Sequence, residues 1–151
     1  MKQENNKATD VAKIRSVIGK WEEAIRAKDS RQLTSGFAND VVLFDLIEPL
    51  EYAGTAALKE RAEAWLSSFE GPIDYETKDL RIMTGEDLAF CHSLNHVKGM
   101  NKGGKKIDMW WRATVCFRRA GEDWLVEHEH SSVPFDMKTG QAVAGVSGRT
   151  C

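Results

Sequence analysis

The second half of the chain reads as four long extended runs, at residues 73–83, 88–98, 106–118 and 124–133. Short segments separate these runs, and each segment contains glycine: "TGED", "GMNKGGK" and "RAGED". Regular spacing with short glycine-bearing turns is typical of an antiparallel β-meander. This feature constrains the fold most strongly, because a meander must cover its apolar residues on at least one face.

Helices are predicted before the meander. Apolar residues recur at steps of three and four between Val11 and Ile25, which predicts a long amphipathic helix. Ser30 can cap a short second helix, and a third helix begins at Gly54. The β-branched and aromatic run "DVVLFD", at 40–45, predicts a strand between them. Helices followed by a meander predict an α+β domain with the helices on one face of the sheet.

Length and composition predict one domain. A chain of 151 residues is long enough for a single core and too short for two. We expect the domain to span residues 10–136. The polar segment at 1–9 is expected to be disordered, and the glycine-rich tail at 137–151 is expected to be flexible.

Charge and hydropathy exclude several classes of partner. The net charge of −2 and the pI near 6.1 give no electrostatic footprint for nucleic acid or anionic membranes. No apolar run approaches the ~20 residues that cross a bilayer, and the polar start lacks the apolar segment of a secretion signal. The three cysteines form no CxxC pair, which indicates free thiols. We therefore expect a cytoplasmic protein that binds neither nucleic acid nor membrane.

The run "IDMWWRATVCFR", at 107–118, carries useful groups on both faces. Its odd-numbered residues are uniformly apolar, whereas its even-numbered residues include Trp110, Arg112 and Thr114. A strand with one wet face would not carry a tryptophan on each side, so we expect both faces to be covered and one to hold a polar-lined space. The alternative for Arg112 is a surface guanidinium paired with a carboxylate.

The last run, "WLVEHEHSSV", places His128, His130 and Ser132 on one face and Glu129 on the other. If paired residue numbers in the hairpin sum to 242, Thr114 faces His128 and Arg112 faces His130. A one-residue slip instead puts His130 opposite Trp111. Alternation along the strands does not choose between these registers.

The two histidines also raise the alternative of a metal site. Side chains two residues apart on a strand lie about 7 Å apart, a spacing at which two ligands can share a metal. A third ligand would have to come from His92, His96 or Asp45, and none has a diagnostic spacing. We therefore expect no metal, and interpret the histidines as part of a hydrogen-bonded wall.

Several motifs together resemble the ketosteroid-isomerase-like, SnoaL-like group of the nuclear transport factor two-like superfamily. They are "WEEAIRAKD", "FANDVVLFD", "YAG", "FEGPI" and the hairpin "MWWRATVCFRRAGEDWLVEHEHSSVPFD", and the resemblance runs from about residue 10 to residue 136. It implies a cone, in which a curved antiparallel sheet wraps a long N-terminal helix, with two further helices and an inner pocket. It also implies a homodimer formed through the outer face of the sheet.

The resemblance also implies roles for single residues. Asp45 stands where ketosteroid isomerase has its general base, while Trp21 and Thr114 stand where that enzyme has its oxyanion-hole tyrosine and aspartic acid. An indole and a hydroxyl are weaker donors than those groups, so the enolate stabilisation is not reproduced. We therefore do not expect steroid isomerase activity.

The predicted function is a small-molecule pocket protein that performs acid–base chemistry without metal or organic cofactor. The reaction is of isomerase, cyclase, dehydratase or hydrolase type, and Arg112 favours an anionic or carbonyl-bearing substrate. The alternative is a non-catalytic ligand-binding or dimerisation module of the same fold. The predicted catalytic residues are Asp45, Arg112 and His130, and the predicted substrate-binding residues are Trp21, Trp65, Trp110, Thr114, His128 and Ser132.

Overall fold

A computed structural model describes residues 2–145. Within this range the chain forms three helices and six strands. The helices are α1 (Lys2–Ala27), α2 (Ser30–Leu33) and α3 (Gly54–Ser67). The strands are β1 (Phe37–Phe44), β2 (Tyr52–Ala53), β3 (Phe69–Thr84), β4 (Leu88–Asn101), β5 (Lys106–Ala120) and β6 (Asp123–Ser132).

All six strands form one curved sheet in the order β2-β1-β6-β5-β4-β3. The predicted α+β fold, with its long first helix, two further helices and antiparallel meander, is confirmed. One pairing differs from the prediction, because β1 runs parallel to β6 and the sheet is therefore mixed. None of the helices within residues 2–145 is long and apolar enough to cross a membrane.

The first helix begins at Lys2, so residues 2–9, predicted to be disordered, extend α1. These residues include good helix formers and contain neither glycine nor proline, so no local signal stops the helix before Val11. Asp10 then fixes this part of α1 to the sheet. Its carboxylate accepts hydrogen bonds from Arg119, at 2.7 and 3.2 Å, and from the indole of Trp124, at 3.1 Å.

The tail at 137–151 was predicted to be flexible, but its part up to residue 144 contacts the rest of the fold. The backbone N–H of Trp110 donates to the carbonyl of Ala144 at 2.7 Å, and Phe135 forms an antiparallel bridge with Ala142. Because β6 ends at Ser132, the position beside this part of β5 is free for the tail. Residues 146–151, which include Cys151, lie outside the described range.

The apolar face of α1 packs on the inner face of the sheet. Ile14 and Ile18 join a buried cluster with Val41, Phe117 and Val126. A second buried cluster lies further along α1 and is centred on Ile25, Leu66, Phe69, Ile73, Tyr75 and Val97. The helices and the concave face of the sheet thus enclose the space in which the candidate site lies.

The β5–β6 hairpin has neither predicted register. Thr114 pairs with His130 and Arg112 with Ser132, so the paired numbers sum to 244 in this part of the hairpin. The register then shifts between Cys116 and Phe117, where β6 contains one extra residue. A bulge of this kind reverses which residues of the strand face inward. Trp124 and Val126 face the core before the bulge, and Glu129 and Ser131 face inward after it.

Candidate functional site

A cavity of about 520 Å³ lies between α1, α3 and the inner face of the sheet. Cavities of this size are typical of small-molecule sites. Most of its lining is apolar, and much of it is aromatic: Trp21, Phe37, Trp65, Phe69, Tyr75 and Trp111.

The aromatic side chains hold one another in edge-to-face and stacked contacts. The ring of Trp65 lies 6.3 Å from that of Trp111 at 89°, and 5.9 Å from that of Phe69 at 81°. Trp21 stacks on Phe37 with ring centroids 5.3 Å apart. Such contacts fix the rings beyond what burial alone does, so the cavity has rigid apolar walls suited to a flat ligand.

One ion pair lies at the cavity wall. The Nε atom of Arg61, on α3, donates to a carboxylate oxygen of Asp45 at 2.6 Å, and each side chain is 20% exposed. The other carboxylate oxygen of Asp45 accepts from the backbone N–H of Leu46 at 2.6 Å. Asp45 is therefore held in one orientation by two donors, directly after the end of β1.

Glu129 places a second carboxyl group in the cavity. The parallel β1–β6 ladder pairs Glu129 with Leu43, which brings its side chain to the same wall as Asp45. Burial, and to a smaller extent the charge of Asp45, raises the pKa of Glu129 to about 7. Part of Glu129 remains accessible, but it lines the cavity rather than the outer surface. A carboxyl group with this pKa can both donate and accept a proton near neutral pH.

Tyr75 contributes a buried phenol to the cavity wall. It is 6% exposed, and burial raises its pKa well above the usual range, with a further contribution from the charge of Glu129. The hydroxyl group therefore stays protonated at any physiological pH, and Tyr75 is suited to hydrogen bonding rather than to proton transfer.

Three of the nine predicted site residues line the cavity: Asp45, Trp21 and Trp65. The sheet brings the other six to its outer face, away from the cavity. They are Trp110, Arg112, Thr114, His128, His130 and Ser132. The prediction that they share a pocket with Asp45 is wrong, as is the prediction that Glu129 points away from it.

The physical reason lies in which face of β5 meets the cavity. We expected its mixed, even-numbered face to line a polar space, but the apolar odd-numbered face does, including Met109, Trp111 and Ala113. Thr114, predicted at an oxyanion position, is exposed, and its inward neighbour Ala113 has no hydrogen-bonding side chain. The cavity takes its polar groups from other elements instead.

The two histidines of "HEH" contact the ring of Phe44, which stands at the end of β1 and also borders the cavity. The ring of Phe44 is 4.8 Å from that of His128 and 5.4 Å from that of His130. His128 hydrogen-bonds through Nδ1 to the carbonyl of Val42 at 2.6 Å. Within residues 2–145 no group of three His, Cys, Asp or Glu side chains is placed to hold a metal ion.

The remaining histidines also lie on the outer face. His92 is exposed and pairs with Thr114, which settles the direction that the sequence left open. His96 is buried, stacks on Trp110 at 4.0 Å, and hydrogen-bonds to Asp108 at 2.6 Å and Glu76 at 3.2 Å. Trp110 thus has a structural contact on the outer surface instead of a place at the cavity wall.

Sequence reasoning missed Arg61, Glu129 and Asn95, all of which line the cavity. Arg61 had a readable signal, because it falls on the same helical face as Leu58 and Trp65, at steps of three and four. Asn95 interrupts an inward-facing series in β4 that includes Cys91 and Val97. Glu129 had no readable signal in the sequence, because the bulge that turns its side chain inward leaves no mark in the hydrophobic pattern.

The comparison with known families decides which group this architecture represents. Residues 14–136 match the model of the SnoaL-like domain. The chain belongs to the SnoaL-like family. Its match covers both cavity carboxyl groups and the Arg61 that pairs with one of them.

Solved structures place this SnoaL-like chain among NTF2-like proteins. An NTF2-like protein of unknown function from Pseudomonas putida is 33% identical over 93% of this chain and 97% of its own, with a TM-score of 0.82. A proposed dehydratase of the NTF2-like family from Streptomyces avermitilis is 18% identical over 83% of this chain and 97% of its own, with a TM-score of 0.72.

A ketosteroid isomerase-like protein from Erwinia carotovora is 20% identical over 82% of this chain and 95% of its own, with a TM-score of 0.69. At these identities, the Streptomyces and Erwinia proteins share the fold with this chain. Among curated proteins, no match was found.

Proposed function

We propose that this SnoaL-like protein is an acid–base enzyme that needs neither metal nor organic cofactor and acts on a small, apolar, carbonyl-bearing molecule. The observation that carries the proposal is the position of Glu129, a carboxyl group with a pKa of about 7 inside an aromatic cavity and on the same wall as Asp45. General acid–base catalysis is most efficient when the pKa of the catalytic group lies near the working pH.

Glu129 is the proton-transferring group in this account. Near pH 7 it is present in both forms, so it can take a proton from carbon or give one to an oxygen that develops negative charge. Isomerisation, cyclisation and dehydration all require such a transfer. Asp45, which the family resemblance favoured as the base, here acts on Glu129 through its charge.

Arg61 is the positioning residue for Asp45. The Nε atom of its guanidinium lies 2.6 Å from one carboxylate oxygen of Asp45. This contact fixes the position of the negative charge that acts on Glu129. The expectation of an anionic substrate depended on Arg112, which is exposed on the outer face. Because the one described arginine at the cavity wall is already paired with Asp45, an uncharged carbonyl compound suits the cavity better.

Proton exchange on a simple ketone tests the proposal. The bicyclic ketone 2-tetralone is small enough for a cavity of about 520 Å³, and replacement of its α-protons by solvent deuterium can be followed by NMR. We expect the protein to accelerate exchange over buffer at pH 7, and Glu129→Gln to lower the accelerated rate about 100-fold or more. Glu122→Gln, in an exposed turn, is the matched control.

Two results would count against the proposal. One is exchange at the buffer rate in the presence of the wild-type protein, and the other is equal acceleration by wild type and Glu129→Gln. Binding of 2-tetralone without exchange would favour the second candidate function, a ligand-binding module without turnover. The full engagement of Asp45 by Arg61 and the Leu46 N–H is the observation that favours this second candidate.

We also propose a cytoplasmic homodimer. The apolar odd-numbered face of β5 covers the core and cavity, which leaves the outer face of the sheet for the dimer. The outer face offers Met83, Leu88 and Phe90, which are 50%, 67% and 41% exposed. Light scattering should give a dimer for wild type and a monomer for Phe90→Asp, and a monomeric wild type would contradict the proposal.

Cys91 and Cys116 are free thiols, which supports a reducing compartment.

A further inference from the structure

The part of the cavity remote from Glu129 contains one buried amide, that of Asn95 on β4. Asn95 is 7% exposed and lines the cavity. Its neighbours in the sheet are Trp111 on β5 and Thr77 on β3. A buried amide loses its hydration, and this is unfavourable unless hydrogen bonds replace it.

Ser93 hydrogen-bonds to the oxygen atom of this amide but not to its nitrogen atom. The Ser93 hydroxyl donates to the Oδ1 atom of Asn95 at 2.9 Å. Among residues 2–145 the structure shows no acceptor for the Asn95 Nδ2 atom, and this atom is not sealed from the cavity. Since an amide nitrogen carries two N–H donors, Asn95 has hydrogen bonds to offer to an occupant of the cavity.

The sheet register separates this donor from the carboxyl groups. Asn95 lies on β4, whereas Glu129 lies two strands away on β6, and the paired rows that contain them are four residues apart. With the usual strand spacing and rise, their backbones are roughly 15 Å apart, and both side chains project into the space between. The rigid aromatic wall formed by Trp65 and Trp111 lies on Asn95's side of the cavity.

We propose that Asn95, oriented by Ser93, is a substrate-binding residue that donates a hydrogen bond to an acceptor oxygen at the end of the substrate remote from the reacting carbon. The substrate class is thereby narrowed to elongated apolar molecules with an acceptor oxygen at the far end. This inference rests on the proposed function only for the position of the reacting carbon. The subsite at Asn95 binds ligand whether or not proton transfer occurs.

The test compares two probes that differ in one oxygen atom. 2-Acetylnaphthalene carries a carbonyl acceptor, and 2-isopropenylnaphthalene has the same shape with a methylene group in its place. We would measure both dissociation constants by calorimetry for wild type, Asn95→Leu, Asn95→Asp and Glu129→Leu. Wild type should bind the ketone about five- to tenfold more tightly than the hydrocarbon, which is the usual contribution of one net hydrogen bond.

Asn95→Leu and Asn95→Asp should abolish this preference, because neither side chain carries the amide donor. Ser93→Ala should weaken it, and thermal melting of each variant shows that the fold is kept. The proposal is overturned if wild type shows no preference, if the preference survives in Asn95→Leu, or if Glu129→Leu alone removes it. That last result would place the carbonyl at Glu129, so the failure of this subsite is distinguishable from failure of the acid–base chemistry.

Discussion

The Nε atom of Arg61 lies 2.6 Å from a carboxylate oxygen of Asp45 at the wall of the cavity. This pair joins α3 to the end of β1, and its carboxylate lies near Glu129, whose pKa is raised mainly by burial and to a smaller extent by the charge of Asp45. We therefore expect a change in Arg61 or Asp45 to be detected in the titration of Glu129.

Replacing Arg61 should change the titration of Glu129. In Arg61→Leu the charge of Asp45 is no longer offset by the guanidinium, so we expect the pKa of Glu129 to rise further. We also expect the free energy of unfolding to fall by about 1–3 kcal/mol, because a partly buried carboxylate loses its partner. NMR titration and chemical denaturation measure the two effects. Arg31→Leu, at an exposed position on α2, is the control that should change neither.

Glu129 should destabilise the folded protein at high pH. Its folded-state pKa of about 7 lies above the ordinary value of 4.5, so the folded state holds this proton more tightly than the unfolded state does. The free energy of unfolding therefore falls as pH rises from about 4.5 to about 7, and the loss is complete above that window. Relative to wild type, the free energy of unfolding of Glu129→Gln should be higher by on the order of 2–3 kcal/mol at pH 8 and almost the same at pH 4.

Denaturant unfolding at several pH values checks this prediction. A constant difference between wild type and Glu129→Gln from pH 4 to pH 8 would show that the carboxyl group titrates normally. Glu122→Gln, at the exposed turn, should follow the wild-type curve at every pH.

The residues on the outer face of the sheet should not contribute to ligand binding in the cavity or to the titration of Glu129. Arg112, His128 and His130 lie on the other side of the sheet from Glu129. We expect Arg112→Ala and His130→Ala to leave both the binding of 2-tetralone and the titration of Glu129 unchanged. A shift in either quantity comparable to that of Arg61→Leu would mean that the outer face contributes to the site after all.

The anchor at Asp10 should contribute to stability without affecting the cavity. Hydrogen bonding from Arg119 lowers the pKa of Asp10, so this carboxylate stabilises the fold above its unfolded pKa of about 3.8 and loses that contribution as pH falls. Asp10→Asn should lower the free energy of unfolding by about 1–3 kcal/mol at pH 7. The difference from wild type should shrink below pH 4, and an undiminished difference there would contradict this account.

Most of the fold could be predicted from local patterns. The spacing of Ile14, Ile18 and Ile25 predicts the apolar face of α1, and glycine-bearing turns delimit β3 to β6 to within a few residues. The parallel pairing of β1 with β6 could not be predicted, because it joins strands more than 80 residues apart. The two-residue strand β2 carries too short a pattern to be recognised.

The site was predicted less well than the fold, and β6 shows why. Strict alternation places Glu129 opposite to Trp124 and Val126, whereas the bulge puts all three on the inner face. A one-residue insertion in a ladder depends on contacts between strands, and the sequence of β6 does not record it. The pattern thus singled out the tripeptide that contains Glu129, but assigned its histidines, instead of this glutamate, to the pocket.

The most direct test of this account is an NMR titration of the Glu129 side chain in the wild-type protein. The protein is labelled with ¹³C in its glutamate carboxyl groups, and Glu129→Gln assigns the resonance. The account predicts a midpoint near pH 7, which moves down in Asp45→Asn because a neighbouring negative charge is removed. A midpoint near the ordinary value of 4.5, unchanged by Asp45→Asn, would contradict the central claim that Glu129 is the proton-transferring group of the cavity.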